Sequence, residues 1–246
     1  MGRRHRLGLI NRPIIRDRIS RGSAGAASIS DSYFSSVTLL AFNENGVDGS
    51  TTFIDASSSV HTLTAAGNFQ WDDATAPTGL TSSALSDGTG DSIATESSDL
   101  GAFGTGDFTI EFWIKTTDTI GDIVRLALTT AGNWGLTLHT AASSIYFQTQ
   151  TANTNLYSRP YAAIIDGAWH HISCCRSGTD HRMFFDGVQQ GATVTDATDY
   201  PNTSVLTIAS GSNGDLAANL ASMRITKGAA RYTGNFTPPT RPLPTS

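Results

Sequence analysis

From Val37 onward the chain alternates between short runs of β-branched, aromatic and aliphatic residues and clusters of Gly, Ser, Thr, Asn and Asp. The runs are VTLLAF (37–42), DFTIEFWIK (107–115), IVRLALTT (123–130), WGLTLHT (134–140), SIYFQTQT (144–151), WHHISCCRS (169–177), HRMFFDG (181–187), SVLTIAS (204–210) and LASMRITKG (220–228). Their lengths and turn-rich borders predict strands, because helices of ordinary length do not fit between the turn signals. Several runs alternate, and successive strand side chains point to opposite faces. One face is therefore assigned inward: Ile110, Phe112 and Ile114; Leu136 and Leu138; Ile145 and Phe147; Ile172 and Cys174; Leu206 and Ile208; Met223 and Ile225. Trp113, Trp134 and Trp169 fall on or beside strands, where large rings serve packing more often than sugar stacking.

Turn chemistry supports the same reading. Asp186-Gly187 tolerates the positive φ angles of a two-residue hairpin turn. Gly88-Thr89-Gly90-Asp91 and Gly104-Thr105-Gly106-Asp107 are turn-then-strand entries. The tail NFTPPTRPLPTS holds four of the eight prolines and is expected to run extended over the surface.

Residues 1–36 break this pattern. Arg3, Arg4, Arg6, Arg12, Arg16, Arg18 and Arg21 place seven of the 16 basic residues in the first 21, against the single acid Asp17. Leu7, Leu9, Ile10, Ile14, Ile15 and Ile19 are interleaved with them. A segment meant only for water has no use for such side chains, so these residues are the candidate partner-binding arm. Residues 22–36, GSAGAASISDSYFSS, have a connector's composition. Two units follow: residues 1–36 as basic arm and linker, and 37–246 as one all-β domain. A 210-residue length suits a single sandwich.

The 225 residues after Arg21 hold nine basic and 20 acidic side chains, a formal balance of −11. Such a body is repelled by nucleic acid and by anionic lipid, and the arm lacks interleaved aromatics, which argues against a nucleic-acid-binding protein. No apolar run reaches the roughly 18 residues of a membrane-spanning helix. The start leads into no uninterrupted apolar segment either, so a protein made without secretion is expected. Cys174 and Cys175 are adjacent, point to opposite strand faces and supply no disulfide framework.

The segments LLAFNENGVDGSTTFIDASSSVHTLTAAGN (39–68), LSDGTGDSIA (85–94), FGTGDFTIEFWIK (103–115), GAWHHISCCRSG (167–178), RMFFDGVQQG (182–191) and MRITKGAARYTGNFTPP (223–239) resemble, in this order, the laminin-G-like module of the concanavalin A-like lectin/glucanase superfamily. The resemblance covers about residues 37–242 and implies a two-sheet antiparallel jelly-roll sandwich carried behind an extended N-terminal arm. The ending RITKGAARYTGNFTPP is similar to modules of bacteriophage particle proteins, which implies a virion location. Ala221 and Ser222 stand where family members often carry an acidic pair, and Ser92 where a large residue is frequent.

No catalytic residues are expected. Glucanase relatives need two carboxylates flanking one glycosidic bond, whereas Glu44, Glu96 and Glu111 are widely separated. His170 and His171 point to opposite faces and cannot chelate one metal, and no nucleophile elbow or phosphate-binding loop is present. Calcium is the one cofactor the turns suggest, through Asp72 and Asp73, Asp87 and Asp91, or Asn213 and Asp215. Asp in such turns more often bonds its own backbone, so no metal site is assigned.

The expected function is a non-enzymatic phage virion structural protein, a head decoration or cement protein whose arm docks on capsid subunits. A homo-oligomer is expected with it, a trimer by virion habit. The alternative is a tail-associated module that grips host-surface carbohydrate through Trp71, Tyr157, Tyr161 or Tyr200.

Overall fold

A computed structural model of the chain describes residues 30–96, 99–126, 133–139, 143–149, 154–201 and 204–246. After a short 3-10 turn at Phe34–Ser36, sixteen strands follow among the described residues: β1 (Val37–Ala41), β2 (Leu63–Ala66), β3 (Gln70–Asp72), β4 (Ser83–Asp87), β5 (Ser92–Thr95), β6 (Phe108–Lys115), β7 (Gly121–Leu126) and β8 (Trp134–His139). The second half supplies β9 (Ser144–Thr149), β10 (Thr154–Pro160), β11 (Trp169–Ser177), β12 (Asp180–Phe185), β13 (Val188–Gln189), β14 (Val194–Thr195), β15 (Leu206–Ile208) and β16 (Ala217–Lys227). No described helix is long and apolar enough to cross a membrane.

The strands form two antiparallel sheets. The nine-stranded sheet runs β13-β12-β11-β6-β16-β4-β3, with β1 also on β16 and β14 on β12. The seven-stranded sheet runs β10-β9-β8-β7-β15-β5-β2. This is the jelly-roll sandwich that the resemblance implies, and its core is the interior between the sheets. Every residue assigned inward from alternation, from Ile110 to Ile225, belongs to that core and is fully buried. Trp134 joins them, stacked with Phe103 and donating its Nε1–H to the Gly101 carbonyl at 3.0 Å. Trp113 does not: it pairs with His171 across β6 and β11 on the outward face.

Local chemistry sets the joints. Asp186 and Gly187 have φ of 49° and 79° and link β12 to β13, as the two-residue turn requires. A Cβ on Gly187 would sit 1.9 Å from the Phe236 carbonyl oxygen, so the tail can touch this turn only because a glycine is there. In β16 the register shifts between Ala221 and Arg224, and Ser222 has φ of 47°. At this bulge β16 changes neighbour from β4 to β1, and Ser222 donates its backbone N–H to Phe42 O and its hydroxyl to Asn43 Oδ1. The Ala-Ser pair noted in the sequence thus occupies a topological joint.

The C-terminal segment after β16 is laid over the outward face of the nine-stranded sheet. Tyr232 and Phe236 stack with centroids 3.5 Å apart, and Phe236 meets Phe184 edge-on at 5.3 Å. Further on, Leu243 closes a small second core with Val37 and Leu40. The backbone of Leu243 is held from both sides by the Asn43 amide, at 2.7 and 2.9 Å. Residues 30–36, expected as connector, are part of this covering: Asp31 N–H donates to Ser246 O at 2.7 Å.

Candidate functional site

Beneath the tail lies the most heavily paired group of charges in the described structure. Glu111 on β6 is fully buried, accepting from Arg224 at 2.9 and 2.7 Å, from the Tyr232 hydroxyl at 2.9 Å and pairing with His171 Nε2 at 3.2 Å. Burial alone pushes its pKa up; the Arg224 charge and the His171 bond outweigh that and bring it down to about 2. Asp31 extends the network, meeting Arg224 and Arg231 at 2.8 Å each. The glucanase-type candidate carboxylate is therefore committed to pinning the tail.

A different arrangement occupies one end of the sandwich, where the loop 209–216 crosses from β15 in one sheet to β16 in the other. Asp122 on β7 anchors that loop. Its carboxylate accepts from Arg125 at 2.5 Å, from Asn213 N and Nδ2 at 3.0 and 2.9 Å, and from the Thr137 hydroxyl. Asp215 bonds Ser210 Oγ and, at 2.8 Å, the backbone N–H of Gly90, so the loop is also tied to the turn before β5. Asp118 Oδ2 accepts from Ala217 N at 3.0 Å, joining the loop after β6.

Two recesses adjoin the loop: one includes three of its residues, and the other begins at Ala217, the residue after it. On the seven-stranded side a cavity of about 330 Å³ is lined by Arg125, Thr207, Ser210, Gly211 and Ser212. On the nine-stranded side another of about 290 Å³ includes Ser86, Asp87, Lys115, Thr116 and Asn219. Ser86 Oγ is buried there without a hydrogen-bond partner. Hydroxyls, an amide and two cations on a scaffold fixed by carboxylates are the groups that bind hydroxyl-bearing ligands, since their positions are set before a ligand arrives.

The structure corrects the expected ring platforms. Trp71, Tyr157, Tyr161 and Tyr200 are 1%, 5%, 5% and 0% exposed, all within the main core. Trp71 donates to Thr52 O at 2.9 Å and packs against Phe53, and Gly46 approaches it so closely that a Cβ there would overlap the indole. Tyr200 donates to Asp196 at 2.7 Å and lies under Arg176. Loop position suggested exposure, but burying the large apolar area of a ring is the stronger tendency, and Trp71 and Tyr200 also find partners for their polar tips. The arm residues Arg3, Arg4, Arg6, Leu7, Leu9, Ile10, Arg12, Ile14, Ile15, Arg16, Arg18 and Arg21 lie outside the described residues.

The candidate calcium turns use their oxygens internally. Asp91 accepts from Asn68 N and Asp87 N, and Asp87 from Thr89 N and Asn68 Nδ2. Carboxylate oxygens of Asp72 and Asp73 do come within 4.8 Å of each other and of Asp48, a residue not singled out beforehand, but Asp72 already accepts from Ala74 N and Asn219 Nδ2. His170 lies between Asp166 and Asp186 at 2.9 and 2.7 Å, while His171 faces Glu111, so the two histidines do point apart. Cys174 is free in the core; Cys175 is free on the outward face, its thiol pushed up to about 11 by burial.

Sequence reasoning missed Asp122, Arg125, Thr207 and Ser212. β7 carried a signal, an Asp and an Arg three apart in an otherwise apolar strand, but strict alternation puts that spacing on opposite faces; the register shift between Asp122 and Val124 brings the two together, and the loop they hold is far away in sequence.

Residues 87–231 match a family model described as the concanavalin A-like lectin/glucanases superfamily. No curated protein matches the sequence. Among similar solved structures, the binding domain of Paraclostridial Mosquitocidal Protein 1 aligns with TM-score 0.62 and 16% identity, over 81% of this chain and 50% of that one. Domain 4 of AbnA, a GH43 extracellular arabinanase from Geobacillus stearothermophilus, solved with arabinotriose, aligns with TM-score 0.61 and 14% identity over 79% and 93%. The binding domain of Botulinum neurotoxin DC in complex with SialylT aligns with TM-score 0.56 and 14% identity over 80% and 49%. The chain thus spans about half the length of the toxin domains, and identities this low show likeness of fold.

Proposed function

This chain belongs to the concanavalin A-like lectin/glucanase superfamily, and from that premise we propose that it is a non-enzymatic binding and adhesion module whose ligand is a carbohydrate. The observation that carries the reading is the prearranged polar rim around loop 209–216. Arg125 is fixed there by Asp122, and the hydroxyls of Thr207, Ser210 and Ser212 surround one recess. Similar folds solved with arabinotriose and SialylT support a sugar as the ligand class. Binding rather than cleavage is supported by Glu111, which is ion-paired and covered by the tail instead of facing a second carboxylate across a substrate.

The test is calorimetric titration of the full chain with neutral and acidic oligosaccharides, repeated on the double variant Thr207→Val, Ser212→Ala. Saturable binding weakened at least tenfold in the variant, at unchanged thermal midpoint, supports the reading. Absence of binding by every oligosaccharide, or indifference to the variant, sinks it.

A second reading, a phage head decoration protein held to capsid subunits as a homo-oligomer, is favoured by one observation. Asp31 is locked to Arg224, Arg231 and Ser246 on the outward face of the nine-stranded sheet, so the arm begins from a fixed point there. Seven arginines interleaved with aliphatic residues would then dock on an acidic, partly apolar surface. Immunogold labelling of purified particles with antibody to residues 37–246 tests it. Label over heads supports decoration, label confined to tails supports the glycan-binding role in a particle, and unlabelled particles remove the virion location.

A further inference from the structure

A cavity of about 360 Å³ lies between β6 and the tail, bounded by Thr78, Trp113, Pro238, Pro239 and Arg241. Its volume falls at the lower end of small-molecule sites, roughly 300–1,000 Å³. The Arg241 guanidinium lies 3.6 Å over the Trp113 ring, and its Nε donates to Thr78 O at 2.9 Å. The rest is unspent: Arg241 Nη1 and Trp113 Nε1 are both buried without a hydrogen-bond partner.

Neither condition is the habit of this protein. Trp71 and Trp134 each donate Nε1–H to a carbonyl, at 2.9 and 3.0 Å. Arg125, Arg182, Arg224 and Arg231 each meet a carboxylate, and Arg176 meets the carbonyls of Gly104, Gly106 and Thr198. Arg241 has no carboxylate partner among the described residues, and burial draws its pKa down. A buried donor left unpaired costs about 1–3 kcal/mol, more when charged. Here the two residues that carry such donors line one cavity. The segment carrying Arg241 is pinned on either side, by Phe236 N–H to Gly187 O and by Leu243 to Asn43. Between those pins Pro238 and Pro239 bring no N–H to tie the chain to the sheet.

We propose that this cleft binds a carboxylated sugar. The carboxylate accepts from Arg241 Nη1 and Trp113 Nε1, and the C–H face of the pyranose lies against Pro238 and Pro239. A planar guanidinium suits a carboxylate, and the charge-assisted bond is about twice as strong as a neutral one. The sugar part rests on the carbohydrate-binding reading above; the carboxylate part rests on the two donors alone.

The experiment titrates the full chain with glucuronate, glucose and acetate, following the indole N–H resonance of Trp113, assigned with Trp113→Phe. Glucuronate is expected to shift this resonance saturably and glucose to leave it in place. In Arg241→Gln the apparent Kd should rise at least tenfold, with the thermal midpoint and the other three indole resonances unchanged. No shift with glucuronate, or an equal response in Arg241→Gln, overturns the proposal. Acetate binding as tightly as glucuronate overturns the sugar assignment. Neutral oligosaccharide binding at loop 209–216, undisturbed by Arg241→Gln, would show that the carbohydrate reading survives where this one fails.

Discussion

The two outward faces of the sandwich obey the same strand alternation and end in opposite states. On the nine-stranded sheet the outward residues of β6, β11 and β16 include Glu111, Trp113, His171 and Arg224 beside the smaller Thr109, Ser173, Cys175 and Thr226, and the tail covers this face. On the seven-stranded sheet they are small or uncharged over much of the area, such as Thr64, Ser92 and Thr207, with Asp122 and Arg125 tied to a loop at one end. Large aromatic and charged side chains pointing outward from a sheet mark a face that another part of the chain must cover. Burial without partners would otherwise cost several kcal/mol per charge. Small hydroxyl-bearing side chains need no such cover, and that face keeps a recess open.

The largest break of this contrast is Glu111→Ala. Removing the carboxylate leaves Arg224 buried beside a lost partner and frees the Tyr232 hydroxyl, so stability should fall by about 3–5 kcal/mol. Denaturant titration would measure it, and hydrogen exchange should rise along the tail while loop 209–216 stays protected. The complementary break is Asp122→Ala, which strands Arg125 and unties Asn213. A loss of about 3 kcal/mol is expected, with exchange rising in loop 209–216 and not in the tail. Coincident loosening of both regions in either variant would show that the two faces are one cooperative unit, contrary to the contrast drawn here.

A third sharpening concerns the interior between the faces. His181 is fully buried against Phe108, Phe147 and Tyr200, and burial lowers its pKa to about 4, so it is neutral at pH 7. Its folded pKa lies below the unfolded value near 6.5. The stability it contributes is therefore complete above pH 6.5 and drains as pH falls towards 4, by up to about 3 kcal/mol. Glu111 adds to this acid loss at lower pH, because its contribution is complete above 4.5 and disappears as pH falls towards 2. Denaturation midpoints between pH 7 and 4 should lose their slope in His181→Phe.

The smallest effect has the opposite sign. Burial works against protonation of His170, but Asp186 and Asp166 outweigh it and raise its pKa. Its contribution is present below the unfolded value and is lost as pH rises through the folded one. Both aspartates are about half exposed, so less than about 1 kcal/mol is at stake. His170→Asn should remove this alkaline-side decline and leave the acid side unchanged.

The long strands were legible because alternation is a local property. Ile110, Phe112 and Ile114 declare a buried face in one stretch of chain, and Asp186-Gly187 declares its turn. β3, with the sequence QWD, and β4, with SALSD, carry too few large apolar residues to be recognised. They become strands because β16 and its neighbours offer edges to pair with.

By itself, then, the sequence determined the all-β class, the inward faces, the opposite directions of Cys174 and Cys175 and the change of composition at the arm. Tertiary structure alone decided what happens at sequence separations of 90 residues or more. It placed Arg224 on Glu111, set Asn213 on Asp122 across 91 positions, and laid Arg241 over Trp113. It also buried the four rings expected to face a sugar. The physical reason is that alternation specifies which way a side chain points relative to its own sheet, whereas covering or exposing that direction depends on where the rest of the chain is laid.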